Sequence, residues 1–589
     1  NRFQQIEGFS LHHRDELDAL QRTLRDYRGC SVLIYQQPCA AEKRRKRKKL
    51  PLQQSARRVV INDEVCEGCG DCSAQSNCLS VLPKSTALGR KRQINQSACN
   101  LDYSCVKGFC PSFVTIEGGT SKDLKVKLGN SVRIPEIPTP NIPELHDDPF
   151  NIFITGIGGT GVITVGALLG MAAHLEEKSV SVLDMTGMSQ KNGAVTSHVR
   201  ITERDHEIRA QRIATGEADL LLGCDMLTAG GQDAISKTRV GRTIAIINTH
   251  NQPTGAFTQD RDWSFPDATL RKLIKESVEN QATFINATQI ATRLLGDSIA
   301  TNLFMLGLAF QKGKIPLLES SIVKAIELNG VAVDANKKAF QWGRYTAIDE
   351  ETVMKIAVPE HTKQTAGLES LNEIIEDRMH RLTQYQDKEY ADRYKWQITR
   401  TKKQIESKTK SQDLCMRFAK NLFRLMAYKD EYEVARMYTD PAFMKSLDKS
   451  FDGKFKIRFN LAPPLISKRD AKGHLIKSTY GSWMIYPLRL IAKLRYLRGT
   501  PFDLFGKTEE RIKERRLIKD YILAVEQSLT NQSPLNESAI RDLIELPSEV
   551  RGFGHVKLTA IEHFYTKLNQ FHKTSSEVTW EQNAESKIT

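Results

Sequence analysis

The sequence predicts an α/β protein in sections: a small cysteine-rich module, a doubly wound sheet domain and a mainly helical C-terminal domain. Three observations carry this. Seven of the eleven cysteines fall between Cys66 and Cys110. From residue 149 to 345, short apolar runs alternate with amphipathic stretches. Beyond about Glu369 the chain is heavily charged, with apolar residues recurring every three or four positions, the spacing of helices packed on one face. At 589 residues the chain also exceeds what one core supports.

Residues 1–57 read as a helix, LDALQRTLRDY, then a strand, SVLIY, after Gly29. They look like the end of an α/β domain whose body is absent. The chain opens on Asn1 without a secretory pattern and so reads as a fragment. The run Lys43–Lys49 (KRRKRKK) followed by Pro51 reads as a linker. His12 and His13 receive no role.

Residues 58–134 hold the cysteine cluster between two β-prone runs, VVIND and FVTIE. With few apolar residues, this reads as a ferredoxin-like module that depends on its metal to fold. Cys66, Cys69 and Cys72 repeat a two-residue spacing in CEGCGDC. Such a loop presents three thiolates to three irons of a cubane, with Gly68 and Gly70 relieving the crowding. Zinc more often takes separated cysteine pairs. Cys110, which precedes Pro111, is the leading fourth ligand, and Cys78 is the second candidate. Cys78, Cys99 and Cys105 then remain for a three-iron cluster, or for a second cubane whose last ligand the spacing does not identify. Clustering in a chain without an export signal argues for metal rather than disulfides.

Residues 135–148 form a linker with prolines at 135, 138, 140 and 143. In residues 149–345, NIFIT, VSVLDM, VTSHVRI, ADLLLGC and TIAIIN read as strands and VITVGALLGMAAHLEE as a helix, implying a mostly parallel, Rossmann-like sheet. Gly156, Gly158, Gly159, Thr160 and Gly161 lie in GIGGTGV between the first strand and that helix. Glycines there permit a tight turn, approach of backbone N–H groups to a phosphate, and close helix–strand packing. Asp184, about 23 residues on, is placed where a carboxylate could hold a ribose hydroxyl. A bound dinucleotide and a turn used only for packing are both open. Ser189, Gln190, Lys191, Asn192 and Gly193 form a polar loop where such sheets bind ligands. His198 and Arg200 read as surface or interface residues. Residues 346–589 read as helical, interrupted at Pro463 and Pro464, with a frayed end at Thr574–Thr589.

The 85 basic and 70 acidic residues leave a formal charge of +15, of which Lys43–Lys49 supplies seven. A solvated basic segment that steers an acidic partner is favoured over nucleic acid. No stretch reaches the roughly 20 apolar residues of a membrane span. No Ser–His–Asp arrangement, zinc-protease helix or Walker loop is evident, so no catalytic residue is assigned.

The strings HHRDELDALQ, CAAEKRRKRKK, VCEGCGDCSAQSNCLSV, GRKRQINQSACNLDYSCVKGFCPSFVT and FITGIGGTGVITVGALLGMAAH together resemble the fused indolepyruvate ferredoxin oxidoreductases, of the 2-oxoacid:ferredoxin oxidoreductase family. YKDEYEVARMYTD, LAPPL and LRGTPFDLFG extend the likeness into the helical tail. The resemblance implies a cytoplasmic enzyme that decarboxylates an aryl 2-oxoacid on thiamine diphosphate and Mg, passes electrons through one [4Fe-4S] cluster, or two, to ferredoxin, and gives acyl-coenzyme A. It implies that residues 1–57 are the tail of a thiamine-binding domain, that the rest of that half is missing, and that the fragment is inactive alone. It makes residues 149–345 the gamma domain, where coenzyme A phosphate contact or packing explains the glycine turn better than a dinucleotide. It implies a homo-oligomer without membrane or nucleic-acid partners. One departure is Asn192 in QKNGAV, where the family pattern leads us to expect a second glycine. Two other readings are an NAD(P)-dependent iron–sulfur oxidoreductase and a basic, metal-containing nucleic-acid-binding protein.

Overall fold

The computed structural model describes residues 9–38, 42, 46, 57–96, 98–121, 132, 134–146, 148–158, 161–187, 193–203, 208–252, 254–357, 370–409, 411–464, 466–470, 473–530 and 537–585, with side chains to 571. The chain divides into two compact units, Asn1–Gln54 and Ser55–Thr589. In the first, α1 (Leu17–Asp26) is the expected helix. SVLIY is not a strand: residues 27–38 carry no regular structure, and Val32 and Ile34 are exposed. A strand requires a neighbour for its N–H and C=O groups, and none of the described residues of this unit supplies one. Most of Lys43–Lys49 lies outside the described residues.

In the second unit, β1 (Arg57–Ile61), β2 (Val81–Thr86), β3 (Gly89–Ile94) and β4 (Phe113–Glu117) precede a six-stranded sheet. Its strands are β5 (Phe150–Ile157), β6 (Ser179–Thr186), β7 (Ala194–Thr202), β8 (Leu220–Gly223), β9 (Ile244–Asn248) and β10 (Ala282–Ile285), in the spatial order β10-β9-β8-β5-β7-β6. β5, β8, β9 and β10 run parallel, whereas β7 is antiparallel to both β5 and β6. The all-apolar β8 run, Leu220–Leu222, is buried on both faces, as a central parallel strand must be. α2 (Val162–Leu175) lies over β7 and β6. A Cβ on its Gly166 would stand 2.3 Å from Ser197 Oγ, and one on Gly170 would stand 2.8 Å from Val182 Cγ2. These two glycines, one turn apart, let the helix sit directly on the sheet.

Helices α3 (Thr301–Gln311) and α4 (Val333–Ile348) pack still closer. A Cβ at Gly307 or at Gly343 would come within 2.0 Å of the Phe340 or Phe304 carbonyl oxygen respectively. The proline-rich stretch runs along this domain: Gln311 Nε2 donates to the Pro138 carbonyl at 2.8 Å, and Leu145 packs on the core.

The cysteine-bearing stretch shares a sheet with the distant C-terminal region. Arg57–Ile61 pairs antiparallel with Phe113–Glu117, which pairs with Lys456–Leu461, which pairs with Ser478–Tyr480. Its core combines Val59, Phe113 and Val114 with Val434, Tyr438 and Phe459. The module therefore buries apolar surface against residues more than 300 positions away. Beyond residue 370 the chain is mostly helical, including Leu371–Tyr385, Lys388–Lys408, Gln412–Met426, Glu509–Thr530 and His555–Glu585. The last helix continues to Glu585, into the stretch expected to fray, whose last four residues lie outside the described ones. Residues around Pro463 and Pro464 are not helical. Among the described residues no helix is long and apolar enough to cross a membrane.

Candidate metal centre

The loop after Arg57–Ile61 is shaped by its backbone. Asn62 N–H donates to the Ser112 carbonyl at 2.8 Å, and Cys66 N–H donates back to the Asn62 carbonyl at 2.9 Å. Gly68 and Gly70 take positive φ, +68° and +85°, and a Cβ on Gly68 would stand 2.2 Å from the Arg90 carbonyl oxygen. Only glycine fits there. Gly70 then starts the helix Asp71–Ser76, which carries Cys72. The Asp71 carboxylate accepts from the Phe109 N–H at 3.1 Å, and a Cβ on Gly108 would collide with it at 2.3 Å. That tie brings Cys110 beside the loop although 38 residues or more separate them in sequence.

The seven cysteines fall into two neighbourhoods. The thiols of Cys69 and Cys72 each feel the charges of Cys110 and Cys66, and Cys110 feels that of Cys66. Separately, Cys105 feels Cys99 and Cys78, and Cys99 feels Cys78. The sets are thus Cys66, Cys69, Cys72 and Cys110, and Cys78, Cys99 and Cys105. Burial first, and then neighbouring sulfur, pushes these thiols up: Cys110 to about 11, Cys105 to about 12, with Cys69, Cys72 and Cys99 also raised. Thiols so placed give up protons when a metal takes them.

Four of the sulfurs accept an N–H two residues on. Gly68 N–H donates to Cys66 Sγ at 3.3 Å, and the Asp71, Leu101 and Ser112 amides donate to Cys69, Cys99 and Cys110. Hydrogen bonds to sulfur favour its anionic form and tune a cluster held on it. Buried cations gather on the first set. Arg92, 1% exposed, acts on Cys72, Cys66 and Cys69, and its Nε has no hydrogen-bond partner among the described residues. Lys429 Nζ donates to the Val65 and Cys66 carbonyls at 3.0 and 3.1 Å, and Lys477 Nζ to the Cys110 carbonyl at 3.1 Å. Sequence reasoning missed Arg92, Lys429 and Lys477, because no local pattern marks a cation that arrives through tertiary contact.

Among the described residues no group of three or more His, Cys, Asp or Glu side chains is gathered to hold a single metal ion. An iron–sulfur cluster makes a different demand, since each thiolate binds its own iron. Four neighbouring thiols, amide donors on the sulfurs and nearby buried cations fit such a group at the first set.

The glycine turn is built for contact. Gly156 lies in β5, where a Cβ would stand 2.8 Å from Val162 Cγ2 and 3.0 Å from Cys224 Cβ. Gly158 N–H donates to the Gly193 carbonyl at 2.7 Å. Gly161, φ +102°, caps α2. Gly159 and Thr160 lie outside the described residues, as do Ser189, Gln190, Lys191 and Asn192. Asp184 is exposed on β6, paired with Ser197, and β7 separates that strand from β5. In the dinucleotide fold the acidic residue ends the strand next to the glycine turn. The intervening β7 breaks that arrangement, so the ribose role considered for Asp184 is not supported.

His198 is fully buried, contrary to the surface placement expected for it. Its Nδ1 accepts from the Ile213 N–H at 3.1 Å and its ring meets Phe153 edge-on at 4.9 Å. Burial holds it down at about 4. Arg200 bonds Asn151 Oδ1 at 2.9 Å and the Ala210 carbonyl at 2.7 Å.

Residues 151–345, which hold this sheet, match the pyruvate ferredoxin/flavodoxin oxidoreductase family. Over 198 residues, 33% of this chain and 94% of that protein, the chain is 26% identical to the indolepyruvate oxidoreductase subunit IorB of Thermococcus kodakarensis. It is 29% identical over 196 residues to the subunit of the same name from Methanothermobacter thermautotrophicus, 33% of this chain and 95% of that protein. The α/β domain at residues 151–345 belongs to the 2-oxoacid:ferredoxin oxidoreductase family. Within that family it is also 27% identical, over 165 residues, to the pyruvate/ketoisovalerate oxidoreductases common subunit gamma of Thermococcus litoralis, covering 28% of this chain and 78% of that protein. These 2-oxoacid:ferredoxin oxidoreductase relatives align with only about a third of this chain. Residues 371–570 match a family of unknown function (DUF6537).

Proposed function

We propose that this chain is the electron-relay and gamma part of a cytoplasmic indolepyruvate-type 2-oxoacid:ferredoxin oxidoreductase. The enzyme oxidises an aryl 2-oxoacid to carbon dioxide and acyl-coenzyme A and delivers electrons to ferredoxin. The observation that carries the reading is the sorting of seven cysteines into a set of four and a set of three, beside a domain akin to the indolepyruvate subunits.

Cys66, Cys69, Cys72 and Cys110 would hold a [4Fe-4S] cluster, and Cys78, Cys99 and Cys105 would hold part of a second. Such clusters take and pass single electrons. The chain's own contribution is to bury the sulfurs, donate the Gly68, Asp71, Leu101 and Ser112 amides to them, and offset the first set's negative charge with Arg92, Lys429 and Lys477. Thiamine diphosphate and Mg, which break the carbon–carbon bond, would sit on thiamine-binding domains working with this chain. The turn at Gly156, Gly158, Gly159, Thr160 and Gly161 would serve coenzyme A phosphate contact or packing.

The test uses the enzyme assembled with its thiamine-binding domains. Under anaerobic conditions, indolepyruvate plus coenzyme A should bleach the cluster absorbance and reduce added ferredoxin, and Cys69→Ser should abolish ferredoxin reduction while leaving decarboxylation to a dye acceptor measurable. Unchanged ferredoxin reduction in that variant would remove the relay from the chain.

A further inference from the structure

The second cysteine set has three thiols, one short of the four that a cubane takes. Cys66, Cys69 and Cys72 advance three residues at a time. From Cys99, the same pitch reaches position 102 and then Cys105, and position 102 is aspartate. The two sets also exchange their outlying cysteines: Cys110, beyond the second triplet, joins the first set, and Cys78, beyond the first triplet, joins the second. Each set is therefore a triplet of pitch three plus one cysteine crossing from the other half. In this arrangement position 102 is the counterpart of Cys69.

The structure assigns Asp102 as the fourth ligand of the second cluster, a carboxylate completing a cubane on Cys78, Cys99 and Cys105. This rests on the iron–sulfur reading above. Asp102 lies close enough for its charge to act on both the Cys99 and the Cys105 thiols. Ser104 N–H and Oγ donate to its two oxygens at 3.2 and 3.0 Å. With one oxygen on iron, the other remains for Ser104. Asp102 is exposed whereas Cys105 is 8% exposed, so the iron it holds is the one that faces solvent. A carboxylate is a harder donor than thiolate and binds iron of a cluster less firmly. That iron is consequently the exchangeable one. Loss of one electron to an added oxidant such as ferricyanide releases it as Fe²⁺ and converts [4Fe-4S]²⁺ to [3Fe-4S]⁺, which balances iron and charge.

The experiment compares the full chain with Asp102→Ala and Asp102→Cys, purified without oxygen, by iron and labile-sulfide count and electron paramagnetic resonance before and after ferricyanide. Wild type should hold about eight irons and develop a three-iron signal on oxidation. Asp102→Ala should hold about seven and show that signal as purified, and Asp102→Cys should hold about eight and resist conversion. About eight irons in Asp102→Ala, with conversion unchanged from wild type, overturns the assignment and leaves the clusters standing. Folded wild type without iron or labile sulfide overturns the iron–sulfur reading itself.

A different observation carries a second inference. A cavity of about 140 Å³ lies between the cysteine stretch and the helical region and is lined by seven cations, Arg90, Lys91, Arg378, Lys420, Arg424, Lys429 and Arg551, against one carboxylate, Glu67. Among the described residues Arg424 Nη1 is buried there without a hydrogen-bond partner, whereas Arg378 pairs with Asp377 and donates to the Ala87 carbonyl. Glu67 is already bonded to Gly552 N–H at 2.8 Å and faces Lys557, and Asp262 engages Arg551 from outside at 2.7 Å. Buried cations without partners are costly unless an anion joins them. We infer that the cavity binds a phosphate-bearing anion. Calorimetric titration of the full chain with inorganic pyrophosphate should show one saturable site. Arg424→Met, and separately the exposed Lys420→Ala, should each weaken it at least tenfold. No saturable heat with wild type, or binding unchanged in folded Lys420→Ala and Arg424→Met, would overturn the site.

Discussion

His198 should make the α/β domain sensitive to mild acid. The ring is fully buried against Phe153, its Nδ1 is occupied by the Ile213 N–H, and Nε2 has no partner among the described residues. Burial comes first in holding it at about 4 rather than its ordinary value. Asp233 acts the other way, and Arg212, Lys237 and Arg200 reinforce the depression. The unfolded chain therefore binds a proton on this side chain at a pH where the folded domain does not. Stability is fully present above about pH 6.5, declines as pH falls, and is lost by about pH 4, when the folded ring also protonates. The difference amounts to up to about 3 kcal/mol. Urea unfolding followed by the fluorescence of Trp342, buried in the same domain, should show the midpoint falling between pH 7 and pH 4.5. His198→Asn keeps an acceptor for Ile213 and removes the titration, so its midpoint should be nearly flat over that range. A variant that loses stability with acid as steeply as wild type would refute the reasoning.

Four other outcomes follow from the geometry. Arg498 is held by Asp430 through bonds of 2.6 and 2.8 Å, with both groups buried, and Arg498→Met should destabilise the helical region by about 3–5 kcal/mol in chemical unfolding. Gly343→Ala, which drives a Cβ toward the Phe304 carbonyl, should cost about 1–3 kcal/mol in the same assay. Arg92→Met removes a buried positive charge from the first cysteine set and should lower that cluster's reduction potential by on the order of tens of millivolts in a spectroscopically followed titration. NADH should show no saturable binding by fluorescence, because β7 separates Asp184 from the glycine turn.

Much of the fold is legible from the sequence where the signal is local. NIFIT, VTSHVRI and TIAIIN form strands, and the region beyond residue 370 is helical, because apolar spacing reports which face each segment buries. The antiparallel insertion of β7 was not legible, since strand direction depends on a long-range pairing that no run of residues encodes. The same holds for Lys456–Leu461, whose pairing with Phe113–Glu117 joins a distant tail to the cysteine stretch. SVLIY shows the converse, a β-prone run without a partner strand among the described residues. At the candidate site, the CEGCGDC loop is readable because thiolates and glycines follow one another in a tight turn. The Asp71–Phe109 bond and the approach of Lys429 and Lys477 depend on how the folded loops meet. His198 was misplaced because polar residues on a strand suggest an exposed face, and here helices and loops cover both faces of the sheet.

The most direct test of the relay is elemental and spectroscopic analysis of the unmodified full chain, prepared without oxygen. About eight irons and about eight labile sulfides per chain are expected, with cubane signals appearing on dithionite reduction. Zinc without labile sulfide, in protein shown to be folded, would contradict it.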